Sequence, residues 1–266
     1  MSRLSFIKVS LVVLMVVLAA PALMAEGHTE QKAVFAAAPQ GGGAEFTLYA
    51  AAIAESEASP AAFFRQAGTT NITATWQSST TTDDLEIVRE MVVAAGEIGS
   101  ITFPIPAAPA WRDAHELRTG VVTVTASGDV AASLSALVLI PTATESALGG
   151  RPSAEGTNFT LNALESEKFG TGVAIARLTD ETATWADAAV CTFTSGDMVG
   201  ELSIVPPDRQ VQAFISEIMA PAPAPADAHG GAMNVQISCN QAVGITALLQ
   251  NKTTGIIATT PVVAND

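Results

Sequence analysis

GEIGSITFPIPAAPAWRDAHELRTGVVTVTASGDVAASLSALVL, residues 96–139, decides the fold, because residues 208–250 run in parallel with it: DRQVQAFISEIMAPAPAPADAHGGAMNVQISCNQAVGITALLQ. Each copy has an alternating strand ending near Phe103 or Phe214, then a Pro/Ala loop, then Asp-Ala-His at 113–115 or 227–229. The strands VTVTA and VQISC follow, and SLSALVL and GITALLQ close the match. Ala126 and Cys239 fall at the same place, an offset of 113 residues. The same offset brings Glu45-Phe46-Thr47-Leu48 onto Asn158-Phe159-Thr160-Leu161. A constant offset with small slips is the mark of duplication followed by loop change.

Within each copy the hydrophobic period is two. Val122, Val124 and Ala126 alternate with Thr123, Thr125 and Ser127. Met233, Val235, Ile237 and Cys239 alternate with Asn234, Gln236 and Ser238, and Ile72, Ala74 and Trp76 with Thr73, Thr75 and Gln77. Alternation places one face in a core and the other in water, as in antiparallel sheets. About seven such runs per half, with Gly, Pro, Asn and Asp between them, predict an immunoglobulin-like β-sandwich in each half. The expected fold is therefore all-β: two tandem antiparallel sandwich domains from an internal duplication. The first is placed at residues 45–148 and the second at 149–266, with the boundary in TESALGGRPSAEG, residues 144–156. Two segments are open to helix. Thr82–Met91 reads as a helix or as a strand from Leu85, and FISEIM at 214–219 as one helical turn.

Length and composition agree with this reading. The chain has 266 residues, 48% hydrophobic, with 12 basic and 26 acidic residues and a net charge of −14. That excludes a disordered chain and removes the basic footprint that nucleic-acid binding needs. Residues 1–25 carry Arg3 and Lys8, an apolar run from Leu11 to Ala20, Pro21, and Ala22 and Ala25 as cleavage positions. This is the pattern of a secretory signal peptide. Its removal takes the net charge from −14 to −16. Residues 26–44 are expected to form an N-terminal tail. The expected location is secreted or periplasmic, with no lipobox cysteine and no insertion in a membrane after cleavage.

The second half also resembles a loosely defined class of β-sandwich repeats in secreted bacterial proteins. TGVAIARLTDETAT, PPDRQVQAFISEI, VQISCNQAVGITALLQ and IIATTPVV, all between Thr171 and Val263, carry the likeness. Arg177 stands where the class has Asn, and Met219 where it has Phe. The resemblance implies the sandwich fold and no particular activity.

Chemistry is sparse. The chain has no G-x-S-x-G elbow, H-E-x-x-H, P-loop, G-x-G-x-x-G or calcium loop. No catalytic residue, cofactor or metal is expected. Asp113 with His115, and Asp227 with His229, offer two ligands per site, fewer than the three or four a zinc site needs. Trp111, in the Pro/Ala loop, is a candidate surface contact or a local packing residue, and Trp76 reads as core. Cys191 and Cys239 both fall on inward faces, opposite Ala74 and Ala126 in the alignment, and form a candidate disulfide. Two buried thiols are the alternative. The expected function is a secreted, non-enzymatic module acting through its surface in adhesion, matrix or cell envelope. Its partner would be an extracellular or envelope protein or glycan. A carbohydrate-binding module, or a hydrolase with dispersed carboxylates, is the alternative.

Overall fold

The computed structural model describes residues 30–40, 44–53, 68–79, 86–103, 118–140, 146–178, 187–219 and 231–265. The signal segment, both Pro/Ala loops, Trp111 and both Asp-Ala-His pairs lie outside these residues. All described strand pairs are antiparallel.

The first half supplies β1 (Gln31–Gln40), β2 (Glu45–Ala52), β3 (Thr69–Ser78), β4 (Glu86–Ala94), β5 (Ile98–Phe103), β6 (Arg118–Gly128), β7 (Ala132–Ile140) and β8 (Ser146–Gly150). They make two sheets, in the orders β1-β6-β3-β4 and β5-β2-β7-β8. The period-two pattern sends Phe35, Ile72, Trp76, Val122 and Val124 from one sheet into the same core as Phe46, Leu48, Phe103 and Leu134 from the other. Phe46 meets Phe35 edge-on, with ring centroids 5.7 Å apart. Geometry of this kind adds to the area burial that drives the two sheets together.

The second half supplies β9 (Ala154–Leu164), β10 (Phe169–Arg177), β11 (Ala189–Ser195), β12 (Met198–Ile204) and β13 (Gln210–Phe214). A single helical turn, α1 (Ile215–Ile218), precedes β14 (Ala232–Asn251), β15 (Ile257–Thr260) and β16 (Val262–Ala264). The twenty-residue β14 has an irregular register between Ser238 and Val243. Its first part pairs β9 and β11, and its last part pairs β10, β15 and, at residues 243–245, the start of β9. In the first half β6 and β7 divide that work: β6 pairs β1 and β3, and β7 pairs β2 and β8. The strand connectivity of β1–β8 therefore recurs in β9–β15.

Register makes the equivalence specific. Val34 pairs Thr123, Thr123 pairs Thr75, and Thr75 pairs Val88. The corresponding row of the second half is Thr160, Gln236, Thr194 and Val199. One row along, Lys32, Thr125, Thr73 and Glu90 answer to Asn158, Ser238, Thr192 and Glu201.

Four expectations are corrected. Residues 31–40 are not a tail but strand β1, buried at Ala33, Val34, Phe35, Ala36 and Ala38. The Ala-rich stretch hides its alternation because a bulge falls between Phe35 and Ala38, with Ala37 at φ 56°. With β1 restored, β9 answers to β1 and β10 to β2, so the likeness of Glu45–Leu48 to Asn158–Leu161 joins strands that are not equivalent. Gly149 and Gly150 belong to β8, and the connection to β9 is only Arg151, Pro152 and Ser153. Cys191 answers to Ile72, which pairs Ala126, rather than to Ala74. That error is two residues, which preserves the inward face.

Where two readings stood open, the structure chooses. Residues 86–94 are strand β4, and 215–218 are the helical turn. Trp76 is fully buried.

Candidate interaction surface

Three places in the described residues bring polar chemistry together: the joint between the halves, the outer face of the β9–β14–β11 sheet, and a buried carboxyl beside Gly231.

The joint is built on β1. Its inward side chains fill the first core, while Val34 and Ala36 point outward with Val121 and pack on Ala174 and Ala176 of β10. Leu178 and Ala37 complete this small apolar contact. Hydrogen bonds surround it. The Ser153 N–H donates to Val34 O at 2.7 Å, and the Ala36 N–H donates to Ser153 Oγ at 3.0 Å. Ser153 Oγ also lies 2.8 Å from Thr246 Oγ1. On the other side the Ala37 N–H donates to Gln210 Oε1 at 3.0 Å, and Gln210 Nε2 donates to Ser79 Oγ at 2.6 Å. The Arg209 N–H reaches Ser79 O at 3.1 Å. Buried polar groups are thus paired across the joint, which is where unpaired ones cost most. Glu155 keeps much of its surface exposed, yet burial pushes its carboxyl pKa up, and a hydrogen bond from the Val34 N–H offsets part of that.

The outer face of β16, β9, β14, β11 and β12 is uncharged apart from Glu201 at its margin. Asn158, Asn162, Asn234, Gln236 and Ser238 are exposed on it. The side chains of Asn265, Thr160, Gln236, Asn234 and Asn162 form a directional relay. Asn265 Nδ2 donates to Thr160 Oγ1 at 2.8 Å, and Thr160 Oγ1 donates to Gln236 Oε1 at 3.0 Å. Gln236 Nε2 then donates to Asn234 Oδ1 at 2.7 Å, and Asn234 Nδ2 to Asn162 Oδ1 at 3.2 Å. Val199 and Val263, 61% and 56% exposed, flank the relay.

The carboxyl is Glu165, buried in the turn between β9 and β10. Its Oε1 accepts the Thr171 N–H at 2.8 Å, and Lys252 Nζ lies 3.8 Å from its Oε2. The backbone closes on Gly231, at φ 70°, where an added Cβ would stand 1.7 Å from Glu165 O. Burial raises the Glu165 pKa above its ordinary 4.5, against the lowering effect of the Thr171 bond, Lys252 and Ser216. A carboxyl raised in this way contributes most to folding when protonated. Its contribution is complete below pH 4.5 and is lost as pH rises through the raised value. Acidification from neutral toward pH 4.5 therefore raises the Tm of the wild-type chain more than that of Glu165→Gln. Parallel Tm–pH curves for the two proteins sink this account.

A disulfide joins Cys191 to Cys239, directly opposite each other on β11 and β14. Among the described residues no group of three His, Cys, Asp or Glu is placed to hold a metal ion. No described helix is long and apolar enough to cross a membrane. No family model, curated protein or solved structure matches this chain. The geometry of its own two halves therefore carries the functional reading.

The sequence singled out neither the joint residues nor Glu165. Ser153 sits in a Gly/Pro-rich stretch that reads as a linker, and Ser79 and Gln210 belong to no motif. Exposed aromatics do not cluster in the described residues; Tyr49, 36% exposed, lies on β2 of the other sheet.

Proposed function

We propose that this chain is a secreted, non-enzymatic pair of immunoglobulin-like β-sandwich modules that acts through its outer surface, as an adhesion, matrix or cell-envelope component. The joint is the observation that carries the reading. A three-residue connection, an apolar contact and bonds to Ser153 and Gln210 hold two modules in one orientation. Fixing two surfaces relative to each other removes the ordering cost that a flexible linker imposes when both engage a partner. Catalysis in this fold would call instead for converging titratable groups in a cleft. The strong negative charge suits a protein that stays dispersed in an extracellular medium.

The full chain is expected to fractionate with the outer surface or matrix of the cells that secrete it, and to turn over none of a panel of chromogenic glycosides, esters and peptides. Turnover of any of them, abolished by a single carboxylate substitution, overturns the proposal.

The joint has its own test. Ser153→Ala with Gln210→Ala removes the acceptors of the Ala36 and Ala37 N–H groups. Leaving buried donors unpaired costs roughly 1–3 kcal/mol each, so the double variant loses about 2–6 kcal/mol. Calorimetry is expected to show one coupled unfolding transition in the wild type and two in the variant. A single unshifted transition in both means that the joint does not couple the halves.

A further inference from the structure

We propose that the outer face of β16, β9, β14, β11 and β12 binds a neutral polysaccharide, an uncharged chain rich in hydroxyl groups; this rests on the surface-acting function above and names its partner chemistry.

The argument begins from the duplication. In the first half the outward positions Val34 and Val121 are apolar and buried in the joint. The equivalent positions of the second half are Thr160, which pairs Gln236 as Val34 pairs Thr123, and Asn234. A surface that makes an apolar contact in one copy has become a hydrogen-bonding surface in the other. Elsewhere the rows agree closely: Thr75 answers to Thr194, Val88 to Val199, and Glu90 to Glu201. The change is concentrated on the strands that make the joint in the first half.

Charge then selects the partner. The chain has 26 acidic residues, yet the three rows of this face carry only Glu201, at the edge. Amides and hydroxyls both donate and accept, as sugar hydroxyls do. They offer nothing specific to a charged polymer. The relay from Asn265 to Asn162 holds five side chains against one another through four hydrogen bonds, so little rotamer freedom remains to be lost on binding. A row of five strands at a spacing of about 4.8 Å spans roughly 19 Å, enough to lie along several sugar units. Val199 and Val263 offer apolar contact to sugar C–H groups in place of aromatic rings. Recognition is then by repeated hydrogen bonds, individually modest and summed along a polymer.

Affinity electrophoresis of the full chain through gels containing starch, dextran, mannan, xylan or β-glucan, with alginate as an anionic control, tests this. At least one neutral polymer is expected to retard the wild type, with little change up to about 0.5 M salt because the face carries almost no charge. Thr160→Val with Asn234→Val transplants the first-half residues; both are surface β-strand positions that accept Val without loss of fold. Unchanged Tm with at least a tenfold weaker retardation is the supporting result. Failure of every neutral polymer to retard the chain overturns the inference, as does equal retardation of variant and wild type, or retardation by alginate alone. Those outcomes leave the surface function standing if the chain still fractionates with cells. Catalytic turnover would remove that function whatever the gels show.

Discussion

Separating Cys191 from Cys239 is expected to cost this protein about 4 kcal/mol of stability, a drop of roughly 10 °C in Tm for a chain of this size. The bond joins residues 48 apart in sequence, and the loop it closes sets the entropy it removes from the unfolded chain. Both residues are buried in the second core, so a simple alanine double variant mixes loss of the cross-link with loss of packing. The first half shows how to part them. Its equivalent pair is Ile72 facing Ala126, buried without any cross-link. Cys191→Ile with Cys239→Ala rebuilds that pair, and its deficit relative to wild type in urea reports the cross-link. Reduction of the wild type under native conditions is expected to give the same deficit. Alkylation of two free thiols in the native, unreduced chain, read by intact mass, would overturn this account of the cross-link.

The parts of this fold that were legible in sequence are those where period and chemistry coincide. VTVTA, VQISC and NITATW alternate strictly, and each is a strand with the expected face inward. Cys191 and Cys239 were placed inward by the same rule, which tolerates a slip of two residues but not of one. Strand β1 was not legible, because Val34, Ala36 and Ala37 are apolar on the outward side. A strand buried on both faces loses its alternation. What buries the second face is the other half of the molecule, which no local window contains. The joint was hidden for the same reason: Ser153 and Gln210 act across separations of 117 and 173 residues. The amide face was visible only as the polar half of an alternation. Its distinction appears when Thr160 and Asn234 are set beside Val34 and Val121, and that comparison needs the register.

Trp76→Ala is expected to remove about 4 kcal/mol, the middle of the range for a large aromatic side chain deleted from a packed core. The indole is fully buried, and its Nε1–H donates to Ala38 O at 3.3 Å, just past the bulge of β1. Gly120 lets the ring lie against the β6 backbone: a Cβ there would stand 2.5 Å from it. Ser195 holds the equivalent place on β11, paired with Met198 of β12, so the second half has no such wedge. The reason lies in what β1 does. It must hold Phe35 inward and present Val34 and Ala36 to the joint across an irregular backbone, and the indole is the side chain that ties that backbone down. Trp76→Phe keeps most of the volume and loses the bond, so it should cost only about 1–2 kcal/mol. Trp76→Ala should also speed amide exchange at Ala36 and Ala37, whose N–H groups bond Ser153 and Gln210, well beyond the change in global stability. Exchange at those two amides that merely tracks global unfolding would show that Trp76 fills the core without steadying the joint.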